Sequence, residues 1–319
     1  MQFDRATRIV VLGGGTGVFT VLTGLKKRFR NLTAIVSMAD DSGSTGVLRE
    51  DFGILPPGDI RRALVALART DNRILAKLFN YRFKTGTGLN GHSFGNLMLT
   101  ALERLTGNFE TAVDEAAKLL AVEGGVVPVT LTPARLWAEL QDGTRIKGET
   151  NIDIPKHDGN LRIKRIWLTP SVKVNPLARH EILNADIVVI GPGDLYTSLL
   201  PNVLVGGLVP VLKQTHGKVV YLVNVMTKHG ETNDFKASDF LRVMEKYLGS
   251  GVIDYVAASN RRPARERLLP YLKENARWVE LDRENFKTRP KLIAADLIRS
   301  RGFVRHDPEK IAKMISRLI

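Results

Sequence analysis

Two stretches of this chain combine residue types and spacings suited to holding a phosphorylated ligand. The first is GGGTG at 13–17, directly after four apolar residues, Ile9, Val10, Val11 and Leu12. A glycine lets the backbone approach an anion closely, and the first turn of a following helix offers unpaired N–H groups and the positive end of a dipole. Gly14, Gly15, Thr16 and Gly17 are therefore candidates to contact a diphosphate. The second is ADDSGSTG at 39–46. Asp40 and Asp41, with Ser42 beside them, could face a ribose from the end of a second strand. They could equally hold Mg²⁺, which takes oxygen ligands. An Asp-rich turn in which a carboxylate binds local N–H groups accounts for one of the two acids without any ligand.

The glycine turn departs from the familiar nucleotide motifs. In either register of G-x-G-x-x-G the last glycine would fall on Val18 or Thr20, and no Gly-Lys-Ser/Thr follows. The broken fingerprint weighs against an NAD-dependent oxidoreductase. Three further stretches repeat the pattern of small polar residues before a helix. In LPPGDIRR at 55–62, Asp59 reads as a helix N-cap, and Arg61 and Arg62 oppose the helix dipole unless an anion lies near. In GHSFGN at 91–96, His92 stands at a glycine-framed helix start. A lone histidine is more often a structural hydrogen-bonder, yet this position makes it a candidate ligand contact. In GPGDLYTSLLPN at 191–202, a glycine turn again follows an apolar run and leads into small polar residues.

The elements that must position these residues are legible from periodicity. Buried strands are expected over 32–38, 186–190, 219–225 and 252–257, and helices from 18 onward and over 60–69, 97–105, 110–122 and 176–183. Alternation of strand and helix, with polar residues at successive strand ends, implies an α/β Rossmann-like fold. Its sheet is mostly parallel with helices on both faces, and one crevice is shared at the strand carboxyl ends. Short β-like runs over 126–132, 135–140, 144–147 and 161–168, with a hairpin turn at Asp142-Gly143, mark a small β-rich insertion at 126–169. The body 1–319 otherwise reads as a single domain, and the insertion carries no assigned chemistry.

Composition narrows the classes. The chain has 319 residues, 44% of them hydrophobic, enough for a full core. No cysteine is present, which removes disulfides, thiolate metal sites and cysteine nucleophiles. No apolar run is long enough to span a bilayer and the first residues do not resemble a signal peptide, so a cytoplasmic protein is expected. The net charge of +14 would suit nucleic acid. Basic residues are nevertheless spread among acidic ones, without aromatic interleaving, and an anion pocket on a solvated basic surface is the preferred reading.

Taken in order, GGGTG, ADDSGSTG, LPPGDIRR, GHSFGNL, GPGDLYTSLLPN and NVMTKHGET resemble the gluconeogenesis factor family across essentially the whole chain. That family is one of Rossmann-like bacterial proteins, in the superfamily of 2-phospho-L-lactate transferase. The resemblance implies a cytoplasmic factor that binds a nucleotide sugar such as UDP-N-acetylglucosamine, is required for growth on gluconeogenic carbon sources, and is linked to cell shape. It places Gly14, Gly15, Thr16 and Gly17 at the phosphates, Asp40, Asp41 and Ser42 at the sugar or metal side, and Gly193, Asp194 and Asn202 along the same crevice. It also implies a tyrosine and an arginine near the C-terminus that hold the ligand. Tyr271 and Arg305 match these, the first to stack on the base and the second to pair with phosphate. No cofactor is required on this reading, though Mg²⁺ could accompany the nucleotide on Asp40 and Asp41. No catalytic residue is assigned, and a regulatory protein partner and homo-oligomerisation stay open. The alternative is a Mg²⁺-dependent transferase acting on a nucleotide-activated phospho-acid, as in 2-phospho-L-lactate transferase. Phosphoryl transfer relies mainly on positioning and electrostatics, so the lack of an evident nucleophile and base does not exclude it.

Overall fold

The computed structural model describes residues 4–69, 73–286 and 288–319. Its body is a parallel sheet of seven strands. These are β1 (Asp4–Gly13), β2 (Phe29–Val36), β3 (Gly125–Pro128), β7 (Ile187–Ile190), β8 (Lys218–Leu222), β9 (Tyr255–Ser259) and β10 (Lys291–Ala295). The spatial order is β10-β9-β8-β7-β1-β2-β3. From β1 the chain winds outward through β2 to β3, then returns to the other side of β1 and winds away through β7 to β10. The reversal lies between β1 and β7, the place where an open α/β sheet leaves a crevice beyond its strand ends.

The two central strands explain their own position. Ile9 to Leu12 and Ile187 to Ile190 are buried throughout, as strands covered on both faces must be. Their registers place Leu12 opposite Ile190, so Gly13 and Gly191 leave the sheet side by side. The helix that follows β1, Gly15–Leu25, buries Val18, Val21, Leu22 and Leu25. It packs against the C-terminal helix Pro308–Ile315. The contact is close: a Cβ at Gly24 would lie 2.0 Å from the Pro308 carbonyl oxygen, and Lys27 pairs with Glu309 at its edge. This packing holds the segment before Pro308 over the same sheet end that carries the glycine turn.

A second, antiparallel sheet is formed by β4 (Arg135–Leu140), β5 (Arg145–Lys147) and β6 (Ile163–Thr169) in the order β5-β4-β6. Leu136, Ala138 and Leu140 point into the core. On the other side Trp137 stacks on Trp167, with ring centroids 6.0 Å apart. Glu139 is bonded by Lys164 and Arg165, which hold its carboxyl down at about 2. A short helix, Glu149–Asp153, follows β5 and returns toward the main body.

Several boundaries differ from the sequence expectation. The run expected at 126–132 belongs to the main sheet, where β3 pairs in parallel with β2, so the antiparallel insertion begins at Arg135. Residues after Ser42 form a helix, Gly43–Phe52, where only a polar turn was expected. The edge strand β10 carries no clear signal, because KLIAA is short and only half buried. The strand expected at 252–257 starts at Tyr255, since the Asp254 carboxylate accepts the Val219 N–H at 2.8 Å and occupies the end of the ladder.

Candidate functional site

The two glycine loops meet at the strand reversal. A Cβ on Gly17 would lie 1.7 Å from the Pro192 carbonyl oxygen, so only glycine allows the first turn of the 15–25 helix to seat against the 191–194 loop. Gly193 N–H donates to Asn224 Oδ1 at 3.0 Å, which ties that loop to the end of β8. Gly15 N–H donates to Asp59 Oδ2 at 2.8 Å. A carboxylate thus already occupies one donor at this helix N-terminus, where an anion is favoured.

These loops floor a cavity of about 580 Å³, within the range of small-ligand sites. One end is lined by Gly14, Gly15, Thr16, Gly17, Asp40, Ser42, Asp59 and Arg62. Glu149, Asp153, Gly193, Asp194 and Lys228 lie along it, and Tyr271, Phe303, Val304, Arg305 and His306 close the far end. Tyr271 and Arg305, distant in sequence from the glycine turns, therefore share their cavity. The Tyr271 hydroxyl accepts Val304 N–H at 2.9 Å and donates to the Val304 carbonyl at 3.4 Å. With its hydroxyl spent, Tyr271 has its ring left to offer a ligand. The Arg305 guanidinium lies over the Phe303 ring, 5.6 Å from its centroid.

Three candidates lie elsewhere. Asp41 points away from the cavity. Its carboxylate accepts Thr150 N–H and Oγ1–H, both at 2.8 Å, and Glu149 N–H at 3.2 Å. It therefore caps the 149–153 helix, whose own N-cap residue, Gly148, has no side chain to do so. His92 is buried with Nδ1 3.0 Å from Ser44 Oγ, which also accepts from Asn96, and it does not line the cavity. Asn202 is wholly buried and donates to the carbonyls of Ser198 and Leu199, bracing the wide turn Leu195–Leu199 from behind. The metal pair expected at Asp40 and Asp41 is thereby split. Asp40 lines the cavity and accepts Ser42 N–H and Oγ–H at 2.9 and 2.7 Å, while Asp41 is committed to the helix.

The roles expected at 59–62 also change. The helix begins at Pro57, so Asp59 lies within its first turn and reaches across to Gly15 instead of capping it. Arg62 donates to Asp59 Oδ1 at 2.9 Å at the cavity edge. Arg61 is buried and donates to Asn96 at 3.0 Å and to Asn80, which is a packing role.

The structure adds two acids that sequence reasoning missed, Asp153 and Glu231, to the expected Asp194. The three bring carboxylate oxygens within 4.8 Å of one another. Lys228 Nζ lies 3.0 Å from Asp153. Glu231 accepts Tyr196 N–H and Thr197 Oγ1–H, each at 3.0 Å, and burial together with Asp194 and Asp153 pushes its carboxyl well up. Burial, then the charges of Asp40, Asp153 and Asp41, push Glu149 up to about 9. Burial and the Asp40 charge likewise raise Asp59, against the pull of Arg62. Asn224, Lys228 and Glu231 fall inside the NVMTKHGET stretch, so that motif carried a usable signal. Glu149 and Asp153 reach the site only through the fold of the antiparallel insertion.

Residues 9–298 match the family model described as 2-phospho-L-lactate transferase CofD. A protein of Nostoc sp. is 44% identical over 98% of this chain and 68% of its own length. The gluconeogenesis factor of Bacillus subtilis is 40% identical over 98% of both chains. A crystal structure of a Bacillus halodurans protein superimposes with a TM-score of 0.92 at 38% identity, covering 97% of this chain and 99% of that one.

Two outcomes test this electrostatic description. Asp41→Ala should lower unfolding stability by ~1–2 kcal/mol, the usual worth of an N-cap, measured by urea denaturation; an unchanged midpoint would contradict the capping role. For Glu149, the folded protein keeps a proton between pH 4.5 and about 9 that the unfolded chain has lost. Its contribution is full below the ordinary carboxyl pKa and is lost as pH rises through about 9. Thermal midpoints of Glu149→Gln should therefore fall less steeply than those of the native chain from pH 6 to pH 9. Parallel profiles would contradict it.

Proposed function

The chain belongs to the gluconeogenesis factor family, within the CofD superfamily, and on that premise we propose that it binds a nucleotide sugar such as UDP-N-acetylglucosamine and acts as a regulatory factor without turnover. Its proposed setting is the cytoplasm, with roles in growth on gluconeogenic carbon sources and in cell shape, read out by a protein partner that senses the bound state. No helix among the described residues is long and apolar enough to cross a membrane.

The observation that carries this reading is the meeting in one cavity of the 14–17 turn with Tyr271 and Arg305. A helix N-terminus with Arg62 beside it suits a diphosphate, and a tyrosine ring with Arg305 suits a base and its adjoining phosphate. The acids between them require a counter-charge when an anionic ligand enters. Lys228 supplies part of it, and Glu149, pushed up to about 9 by burial and the neighbouring acids, lessens the repulsion by holding a proton.

The acid triad favours a second reading. Asp153, Asp194 and Glu231 offer only oxygen donors and so fit a hard cation such as Mg²⁺, which when bound would neutralise a diphosphate. On that reading the protein is a transferase acting on a nucleotide-activated phospho-acid. Calorimetric titration with UDP-N-acetylglucosamine, with and without Mg²⁺, followed by mass spectrometry of the ligand, separates the two. Saturable binding with intact ligand is the expected result; release of a nucleotide monophosphate would transfer the assignment to the transferase. Arg305→Ala should weaken binding by roughly 1.5–3 kcal/mol, about 10- to 150-fold, if its guanidinium meets a phosphate. Thr16→Leu should block the phosphate approach. Native affinity in both variants would exclude this cavity as the site.

A further inference from the structure

A second cavity, of about 870 Å³, lies beyond the carboxyl end of β9, where Ser259 and Asn260 leave the sheet. Its volume is in the range of small-ligand sites. It shares Ala276 with the first cavity and no other lining residue. The lining is strongly basic. Arg262, Arg265, Arg277 and Arg283 belong to it, against one acid among the described residues, Glu280.

Some arginines along this part of the chain are already engaged. Arg261 pairs with Asp296 at 2.9 Å, Arg277 with Asp234 at 2.8 Å, and Arg267 donates to the carbonyls of Gly302 and Phe303. Glu280 is itself 3.8 Å from Lys236. Arg262, Arg265 and Arg283 make no ion pair or side-chain hydrogen bond among the described residues. Two of these three stand at the N-terminus of the helix Arg265–Leu272, whose N-cap residue, Ala264, has only a methyl group and accepts nothing. Positive charge at the positive end of a helix is unfavourable, and an anion lying among the three guanidiniums relieves it. Each guanidinium also presents a fork of N–H donors that matches two phosphate oxygens at once.

The wall between the two cavities is lightly built. Helix 265–272 gives Arg265, Leu268 and Leu272 to the second cavity, and Pro270 and Tyr271 to the first. None of its residues is buried. It is held by the Arg267 bonds to Gly302 and Phe303, by the Tyr271 hydroxyl at Val304, and by a small apolar cluster separate from the main core. In that cluster Leu268 and Trp278 come from the second cavity, and Val225, Met226, Tyr271 and Val304 from the first. The segment after the helix continues the wall. Arg277 N–H donates to Thr227 Oγ1 at 2.8 Å, and Thr227 N–H to the Arg277 carbonyl at 2.7 Å. An element with so few buried apolar contacts is among the easier parts of a fold to loosen or to stiffen.

We propose that the second cavity binds a small phosphorylated ligand through Arg262, Arg265 and Arg283, and that the bound ligand stiffens the wall that carries Tyr271. The phosphates lie at the N-terminus of helix 265–272. Guanidiniums from before the helix, from its first turn and from the segment beyond it are then tied to one anion, so the helix loses freedom to shift. Tyr271 and its partner Val304 line the first cavity, which therefore senses the occupant without touching it. This ligand is a second one, and its site stands independently of the nucleotide-sugar reading.

Calorimetric titration with tripolyphosphate at physiological ionic strength, where long-range attraction is screened, tests the site. The first cavity also offers phosphate donors, so Thr16→Leu is titrated beside the native chain, and a saturable site is expected in both. Adding Arg262→Gln, Arg265→Gln and Arg283→Gln to Thr16→Leu should weaken that site by about tenfold or more. The equally charged set Arg145→Gln, Arg179→Gln and Arg242→Gln should leave it within about twofold, because those arginines lie elsewhere on the surface. Hydrogen exchange read by mass spectrometry on the same chains reports on the wall. Tripolyphosphate should slow exchange across 300–306, which holds the Val304 N–H, in Thr16→Leu and not in the chain that also lacks Arg262, Arg265 and Arg283. No saturable site in Thr16→Leu, or equal weakening by the two arginine sets, would overturn the site; binding with exchange at 300–306 unchanged would overturn the coupling. All six substituted arginines are exposed, so the variants keep the fold. No nucleotide sugar is present in these measurements, so they succeed or fail apart from the proposed function.

Discussion

The site depends on one close contact, Gly17 against the Pro192 carbonyl, made where the order of the sheet reverses. Strands β1 and β7 are neighbours, and both end in glycine turns at the same level. A side chain at Gly17 would drive the first helical turn away from the 191–194 loop and open the floor of the cavity. With it in place, the N-terminus of the 15–25 helix, the tie between Gly193 and Asn224, and the Asp59 contact to Gly15 form one rigid platform. The C-terminal segment is brought over that platform by the packing of the 308–315 helix on the 15–25 helix. Remote parts of the sequence thus converge through ordinary helix and sheet packing.

Charge is the second organising constraint. Asp40, Asp59, Glu149, Asp153 and Asp194 share a cavity in which Arg62, Lys228 and Arg305 are the counterweights. Such an arrangement is costly if every carboxyl is ionised, and burial relieves part of it by pushing Glu149 up to about 9, so that it keeps its proton at neutral pH. Lys228, close to Asp153 and Asp194, is the pivot of that balance. A diphosphate arriving alone, with Mg²⁺ or with a proton meets a different net charge in each case.

Much of the architecture was readable because burial leaves a period in the sequence. Ile9 to Leu12 and Ile187 to Ile190 are continuous apolar runs because both sheet faces are covered, and the glycine turns after them mark where the backbone must approach something. The readings that failed did so where a side chain serves a distant partner. Asp41 looks like half of an acidic pair, yet it caps a helix that begins 108 residues later in the chain. Asp59 stands where an N-cap would, but the helix starts two residues earlier and its carboxylate crosses to Gly15. His92 and Asn202 carry the right chemistry and support the loops from behind. Glu149 and Asp153 could not be found locally, because only the return of the antiparallel insertion delivers them to the cavity. Gly125–Pro128 has the same short β-like pattern as the insertion, and only its pairing with β2 assigns it to the main sheet.

On the proposed function, one ligand spans the cavity from the glycine platform to the C-terminal clamp. A co-crystal structure with UDP-N-acetylglucosamine should then show the diphosphate at the Gly14–Gly17 turn beside Arg62 or Arg305, with the base against Tyr271. A ligand bound with its phosphates away from that turn, or a nucleotide lodged outside this cavity, would contradict it.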